Sequence, residues 1–134
     1  TWAEAITPLP SGDESSGIFS LTFRDDRNGA AFGGALSEPD STHADVAITA
    51  DGGATWSLVG STGLRGAVYG AAWVPGTEPA ALVAASPDGT AVSTDRGRTW
   101  ARIDSVNAWT VAFHGPVAGW AAGRGGIRAL RRDP

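Results

Sequence analysis

Two arginines of this 134-residue chain stand alone among small residues, Arg65 in Leu64-Arg65-Gly66 and Arg124 in Gly123-Arg124-Gly125. A guanidinium on a loop is a planar fork for a carboxylate or a phosphate. The competing reading for Arg65 is a bridge to an acid such as Asp104 or Glu14. Asp13 and Glu14 form an adjacent acid pair in a Gly/Ser segment, and Asn107 adds an amide to the loop Ser105-Val106-Asn107. Arg65, Arg124, Asp13, Glu14 and Asn107 are therefore the candidate ligand-binding residues. No catalytic set is expected. Cysteine and lysine are absent, and His43 and His114 are too few for a histidine-rich metal site, so neither a metal nor a cofactor is expected. Gly123-Arg124-Gly125-Gly126 lacks the strand-helix context of a dinucleotide fingerprint.

Charge narrows the partners. Residues 1–51 hold nine acids and two arginines, whereas 52–134 hold five acids and eight arginines, for a net charge of −4. This balance argues against nucleic acid, which calls for a basic footprint. Arg128, Arg131 and Arg132 form the one basic cluster, read as a solvated tail. Arg24-Asp25-Asp26-Arg27 reads as charges pairing around a turn. No apolar run reaches the length of a membrane span. With no Met, the chain reads as a processed product or an excised piece.

Internal repetition shows what must position these residues. Thr49-Ala50-Asp51-Gly52-Gly53-Ala54-Thr55-Trp56 matches Ser93-Thr94-Asp95-Arg96-Gly97-Arg98-Thr99-Trp100, a step of 44 residues between the tryptophans. Thr1-Trp2 looks like the end of a third copy. Ahead of these stand Ile18–Phe23, Val68–Trp73 and Ala108–Phe113, each with an aromatic at its second and sixth places. Gly/Ala-rich runs follow at 29–34, 81–86 and 119–123, then short β-type runs at 45–49, 90–93 and 127–130. Each tryptophan opens a fourth run, Trp56–Val59, Trp100–Ile103 and Trp2–Ile6. Runs of four to six residues bounded by Gly, Pro, Asp and Ser predict strands, and no sustained period of 3.6 predicts a helix.

The reading is all-β: three four-stranded antiparallel propeller blades at about 17–59, 67–103 and 108–131, the last with a fourth strand drawn from 1–6. The first strand of each blade is expected to be innermost and buried on both faces, with Phe19, Tyr69 and Trp109 wedged between sheets. In the repeated turn, Asp51 and Asp95 are expected to accept backbone hydrogen bonds. Gly53 and Gly97 supply positive φ, Thr55 and Thr99 close the loop, and Trp56 and Trp100 bury a ring between sheets. Thr49 and Ser93 complete the motif. One carboxylate per turn is too few for calcium.

This motif, Ser/Thr-x-Asp-x-Gly-x-Thr-Trp, resembles the Asp-box or BNR repeat. The chain is similar to bacterial WD40/YVTN/BNR-like propellers, including those like the photosystem II stability and assembly factors. The resemblance implies a propeller of six or seven blades, and it favours a secreted or periplasmic location. It departs at Arg131-Arg132-Asp133-Pro134, where a third box would stand. Three blades cannot close a ring. The chain is thus expected either to continue missing N-terminal blades or to dimerise as a half-ring.

Two functions follow. One is a non-catalytic scaffold or binding module that recognises a protein partner or a glycan at the loop face. The other is a glycoside hydrolase of sialidase type, completed by missing blades, for which Arg65, Arg124 and the single tyrosine, Tyr69, would be the parts present.

Overall fold

The computed structural model describes residues 1–130. It contains eleven strands and no helix among those residues, so no helix is long and apolar enough to cross a membrane. The strands are β1 (Ser16–Phe23), β2 (Gly29–Ala35), β3 (Val46–Thr49) and β4 (Ser57–Gly60) in a first antiparallel sheet. The second sheet has β5 (Gly70–Val74), β6 (Ala81–Ser86), β7 (Gly89–Ser93) and β8 (Ala101–Asp104). The third has three strands, β9 (Thr110–Phe113), β10 (Gly119–Gly123) and β11 (Gly126–Leu130), with β11 at its edge. Each sheet is a simple meander, and β1, β5 and β9 stand side by side as the lines along which the sheets meet. The ring is open.

The repeat extends to the register. β3 and β4 slip between Val46 and Ala47, and β7 and β8 slip at the matched place between Thr90 and Ala91. Glycine opens β2 and β10 because the sixth-place aromatic of the preceding strand lies across it. A Cβ on Gly29 would meet the Phe23 ring at 2.6 Å, and one on Gly119 would meet Phe113 at 2.4 Å.

Between the first and second sheets, Phe32, Val46, Leu64, Val68 and Leu82 are fully buried, and Trp100 packs against them. Its ring stands edge-on to Phe32 with centroids 5.9 Å apart. Trp73 joins the same layer, its indole N–H donating to the Thr22 carbonyl at 3.1 Å. A smaller core of Val74, Val83, Ala85, Ala108 and Val111 joins the second and third sheets.

Several expectations need correction. Of the first strands, β5 has no exposed residue, but β1 and β9 are not buried on both faces. β1 and β9 alternate with exposed residues, while β2 and β6 are almost wholly buried. The second strand has a strand on either side and a sheet against it, whereas the first faces the open side of an incomplete ring. Of the second-place aromatics, Phe19 and Tyr69 meet between the first and second sheets, whereas Trp109 does not wedge between sheets. Phe19 sits in a bulge of β1, and Tyr69 and Trp109 immediately precede β5 and β9, so they lie at the ends of the sheets. Phe19 and Tyr69 are in contact at 6.0 Å, and Trp109 is 47% exposed. Trp56 packs not between two sheets but on the outward face of the first sheet, with Ala31, Ala47 and buried Leu9 from the N-terminal segment, and edge-on to Phe23.

The third sheet receives no fourth strand from its own chain. Trp2–Ile6 pairs with no strand, and Trp2 and Ile6 are exposed throughout. Of the basic cluster, Arg128 is not a solvated tail residue, because its guanidinium meets Asp104 at 2.9 Å. Arg131 and Arg132, the end of the predicted blade at 131 and the departure at Arg131–Pro134 lie outside the described residues.

Candidate functional site

The two repeated turns share one hydrogen-bond scheme. Thr49 Oγ1 donates to Asp51 Oδ1 at 2.8 Å and accepts from the Gly53 N–H at 2.9 Å. Asp51 then accepts from the Thr55 N–H at 2.9 Å and from its hydroxyl at 2.6 Å. In the second turn Ser93 donates to Asp95 at 2.8 Å and accepts from Gly97, while the Thr99 N–H at 2.8 Å and its hydroxyl both donate to Asp95. The indole N–H groups of Trp56 and Trp100 close onto the Gly53 and Gly97 carbonyls at 3.0 and 2.8 Å. These donors, led by the Thr55 and Thr99 hydroxyls, hold both carboxyls down at about 2. With every carboxylate oxygen engaged inside its own loop, the turns are fasteners. Gly52 and Gly53 have φ of 73° and 93°, and in the second turn Arg96 takes the first of these left-handed places at 62°.

The opposite end of the sheets carries a cleft of about 630 Å³. The β2–β3 loop gives it Leu36, Pro39 and Asp40, the β4–β5 loop gives Arg65, and the β6–β7 turn gives Pro87 and Asp88. Tyr69 and Arg102 complete its wall. Asp88 is the hub. Its carboxylate accepts from Arg65 Nε and Nη2 at 3.1 and 2.9 Å, from the Arg65 backbone N–H at 3.0 Å, and from Arg102 Nη2 at 2.7 Å. Burial raises its proton affinity, but the two guanidinium groups more than offset this and hold the carboxyl well below the usual carboxylate range. Arg102 is further tied to the Asp88 and Asp104 carbonyls. The cluster carries two cations and one anion, and Asp40 on the same wall, whose charge also acts on Arg65, balances them. Arg65 is 56% exposed, and its Nη1 group has no hydrogen-bond partner among the described residues.

The loop bearing Arg65 is anchored from beneath. Asp45, almost completely buried, accepts from the Thr62 N–H at 2.9 Å and its hydroxyl at 2.8 Å, and Thr62 Oγ1 in turn accepts from the Leu64 N–H. Burial pushes the Asp45 carboxyl up to about 6, against those donors.

Only Arg65 of the five candidates lines the cleft, and its partner is Asp88 rather than Asp104 or Glu14. Arg124 and Asn107 are joined to each other across the β10–β11 turn, the Asn107 Oδ1 accepting from the Arg124 N–H at 2.9 Å. Asp13 caps its own turn through the Ser15 and Ser16 N–H groups, both at 2.8 Å, and Glu14 is exposed beside it. On the fastener side, Asp25 accepts from the Arg27 and Asn28 backbone and pairs with Arg24 Nε at 4.0 Å, while the Arg24 guanidinium lies 5.5 Å from the Trp73 ring centroid. Among the described residues no group of three or more His, Cys, Asp or Glu is gathered to hold a metal ion.

Sequence reasoning missed Asp88 and Arg102, and it named Tyr69 only for the glycosidase reading. Asp88 was visible as the acid of a Pro-Asp-Gly turn on the same side as Arg65. Arg102 and Tyr69 were hidden within a strand and a core pattern.

No protein-family model and no curated protein matches the chain. Among solved structures, YCF48 bound to a D1 peptide superposes with a TM-score of 0.62 at 18% identity, over 96% of this chain and 40% of that one. An ancestral GH74 enzyme superposes with a TM-score of 0.55 at 16% identity, over 84% of this chain and 17% of that one. The chain thus spans less than half the length of either structure. These likenesses, with the three antiparallel sheets, make the fold that of a β-propeller whose ring is open.

Proposed function

We propose that the chain is a non-catalytic binding module of Asp-box type whose cleft takes a protein segment bearing a carboxylate. The observation that carries this reading is the Arg65–Asp88–Arg102 cluster. Asp88 fixes both guanidinium groups, so a ligand carboxylate meets a fork already oriented, with Nη1 of Arg65 unspent. Leu36, Pro39 and Pro87 give apolar contact beside it, and Tyr69 offers a ring with a polar tip. The binding of a D1 peptide by YCF48, similar in fold, supports a protein ligand.

The glycosidase alternative, which likeness to a GH74 enzyme keeps in view, draws less from the cleft. A sialidase-type site uses a tyrosine nucleophile, several arginines and an acid/base aspartate in place of the usual two carboxyl groups, and of the expected parts Tyr69 and Arg65 line the cleft while Arg124 does not. Asp88 is held ionised by its two arginines, which leaves Asp40 as the other carboxyl on the wall.

The test is selection of random peptides with free C-termini on the immobilised chain. Enriched sequences that share a carboxylate and lose at least tenfold in affinity for Arg65→Ala support the reading. Enrichment indifferent to Arg65→Ala, or none at all, refutes it.

A further inference from the structure

A second groove, of about 430 Å³, runs between the second and third sheets, and its walls are apolar. Val83, Val92 and Ile103 supply one wall, and Ala121, Arg128 and Leu130 supply the other. The repeat explains why it is there. Val92 and Ile103 stand 44 residues after Ile48 and Val59, and those two, like Trp100, pack against the core between the first and second sheets. Ala121 and Arg128 take the places that Ala84 and Ala91 hold beneath Trp100. The groove thus matches, by repeat position, the place of the tryptophan that opens a fourth strand, in the one sheet that has three strands among the described residues.

The chain contains such a strand unused. Thr1-Trp2-Ala3-Glu4-Ala5-Ile6 aligns with Thr55-Trp56-Ser57-Leu58-Val59-Gly60 and with Thr99-Trp100-Ala101-Arg102-Ile103-Asp104. Trp2 and Ile6 are fully exposed and pair with nothing. Their own groove is out of reach. Leu9 is pinned on the outward face of the first sheet. The groove lies beyond that sheet and the next, roughly 20 Å away at ordinary sheet spacing. The three residues from Leu9 back to Ile6 span at most about 11 Å.

We propose that residues Trp2–Ile6 of a second copy of this chain form the fourth strand of the third sheet, with Trp2 seated in the groove, and that the exchange is mutual. Matching the repeats fixes the register. Val92 pairs with Ala101 and Ala91 with Arg102, so Ala129 pairs with Ala3 of the second copy and Arg128 faces its Glu4. Opposite charges thus meet across the new strand pair. The arrangement also covers the two faces left bare at the ends of the fan. Leu21 and Leu58 are 60% and 46% exposed on the first sheet, and Trp120 and Ile127 are 44% and 79% exposed on the third. Two copies joined head to tail would close six sheets into a ring, which ends the association at two.

Light scattering on the 134-residue chain at tens of micromolar is the first arm. The expected mass is about 27 kDa, twice the 13.6 kDa chain, falling to 13.6 kDa for Trp2→Ala with an unchanged β-sheet circular dichroism spectrum. Trp2 contacts nothing within its own chain, so that variant removes no fold contact. The second arm uses the absence of cysteine: Ala3→Cys with Ala129→Cys in one chain, mildly oxidised, should run as a covalent dimer on a non-reducing gel. A wild-type particle of 13.6 kDa, a Trp2→Ala variant that stays dimeric, or a doubly substituted chain that yields monomer alone would each overturn the proposal.

Discussion

The buried carboxylate beneath the cleft sets a slope of stability against pH. Asp45 has its folded value near 6, against 3.8 in an ordinary aspartate, because burial penalises its ionised form. The native state therefore holds this proton more tightly than the unfolded chain does. The resulting stabilisation is complete below pH 3.8 and is lost as the pH rises through 6. The full interval corresponds to about 3 kcal/mol, of which about 1.3 kcal/mol is lost between pH 5 and pH 7. Asp51 and Asp95, held at about 2, work in the opposite sense in a lower window, as do Asp13, Asp25, Asp88 and Asp104, all held below the usual value. The contribution of Asp51 and Asp95 is present above 3.8 and fades as the pH falls towards 2. Between pH 5 and 7 the slope thus belongs mainly to Asp45. Urea unfolding followed by tryptophan fluorescence should give a midpoint about 0.6 M higher at pH 5 than at pH 7, for a dependence near 2 kcal/mol per molar. Asp45→Asn keeps the shape, can still accept the Thr62 N–H, and should flatten that difference to within about 0.3 M. A wild-type midpoint level across the range would refute the reasoning, as would a slope that survives in Asp45→Asn.

Trp100→Ala should cost about 3 kcal/mol by emptying the layer against Phe32, and Trp56→Ala should cost visibly less, since Trp56 meets only Ala31, Ala47, Leu9 and the Phe23 edge; paired urea melts give the order. Gly70→Ala should cost roughly 1–3 kcal/mol, its new Cβ falling 2.8 Å from the Thr110 Cα and the Trp109 carbonyl, while Gly125→Ala, with open space around it, should be near neutral in the same melts. Arg96→Gly should raise the urea midpoint, because a left-handed arginine costs more than the added freedom of glycine in the unfolded chain, leaving a net gain of about 0.5–1 kcal/mol.

The strands, their antiparallel order and the repeated turn could be read from the chain because each rests on local chemistry. Hydroxyl, Asp, Gly and Thr within seven residues close a loop on themselves, and Gly opposite an aromatic is a neighbour effect. Burial could not be read in the same way. Whether β1 is covered depends on how many sheets stand around the axis, and no window of β1 carries that number. Tyr69 and Trp109 fit a core pattern by type, yet one residue of offset from the sheet body puts them at its end. The cleft was half legible. Arg65 declared itself by isolation between small residues, but its partner Asp88 is 23 positions away and is brought to it by the meander of the second sheet. Asp45, at the head of β3, gave no sign of burial, since its Thr62 partner comes from the loop after β4.

The account stands most directly on what the Arg65–Asp88–Arg102 cluster does when offered a ligand. Nitrogen-15 spectra of the arginine Nε groups, recorded while a selected peptide with a free carboxylate is titrated in, read each guanidinium separately. The predicted result is a saturable shift of Arg65 and Arg102 with Arg124 unmoved, abolished when the peptide carboxylate is amidated. Shifts centred on Arg124, or equal shifts with the amidated peptide, would contradict it.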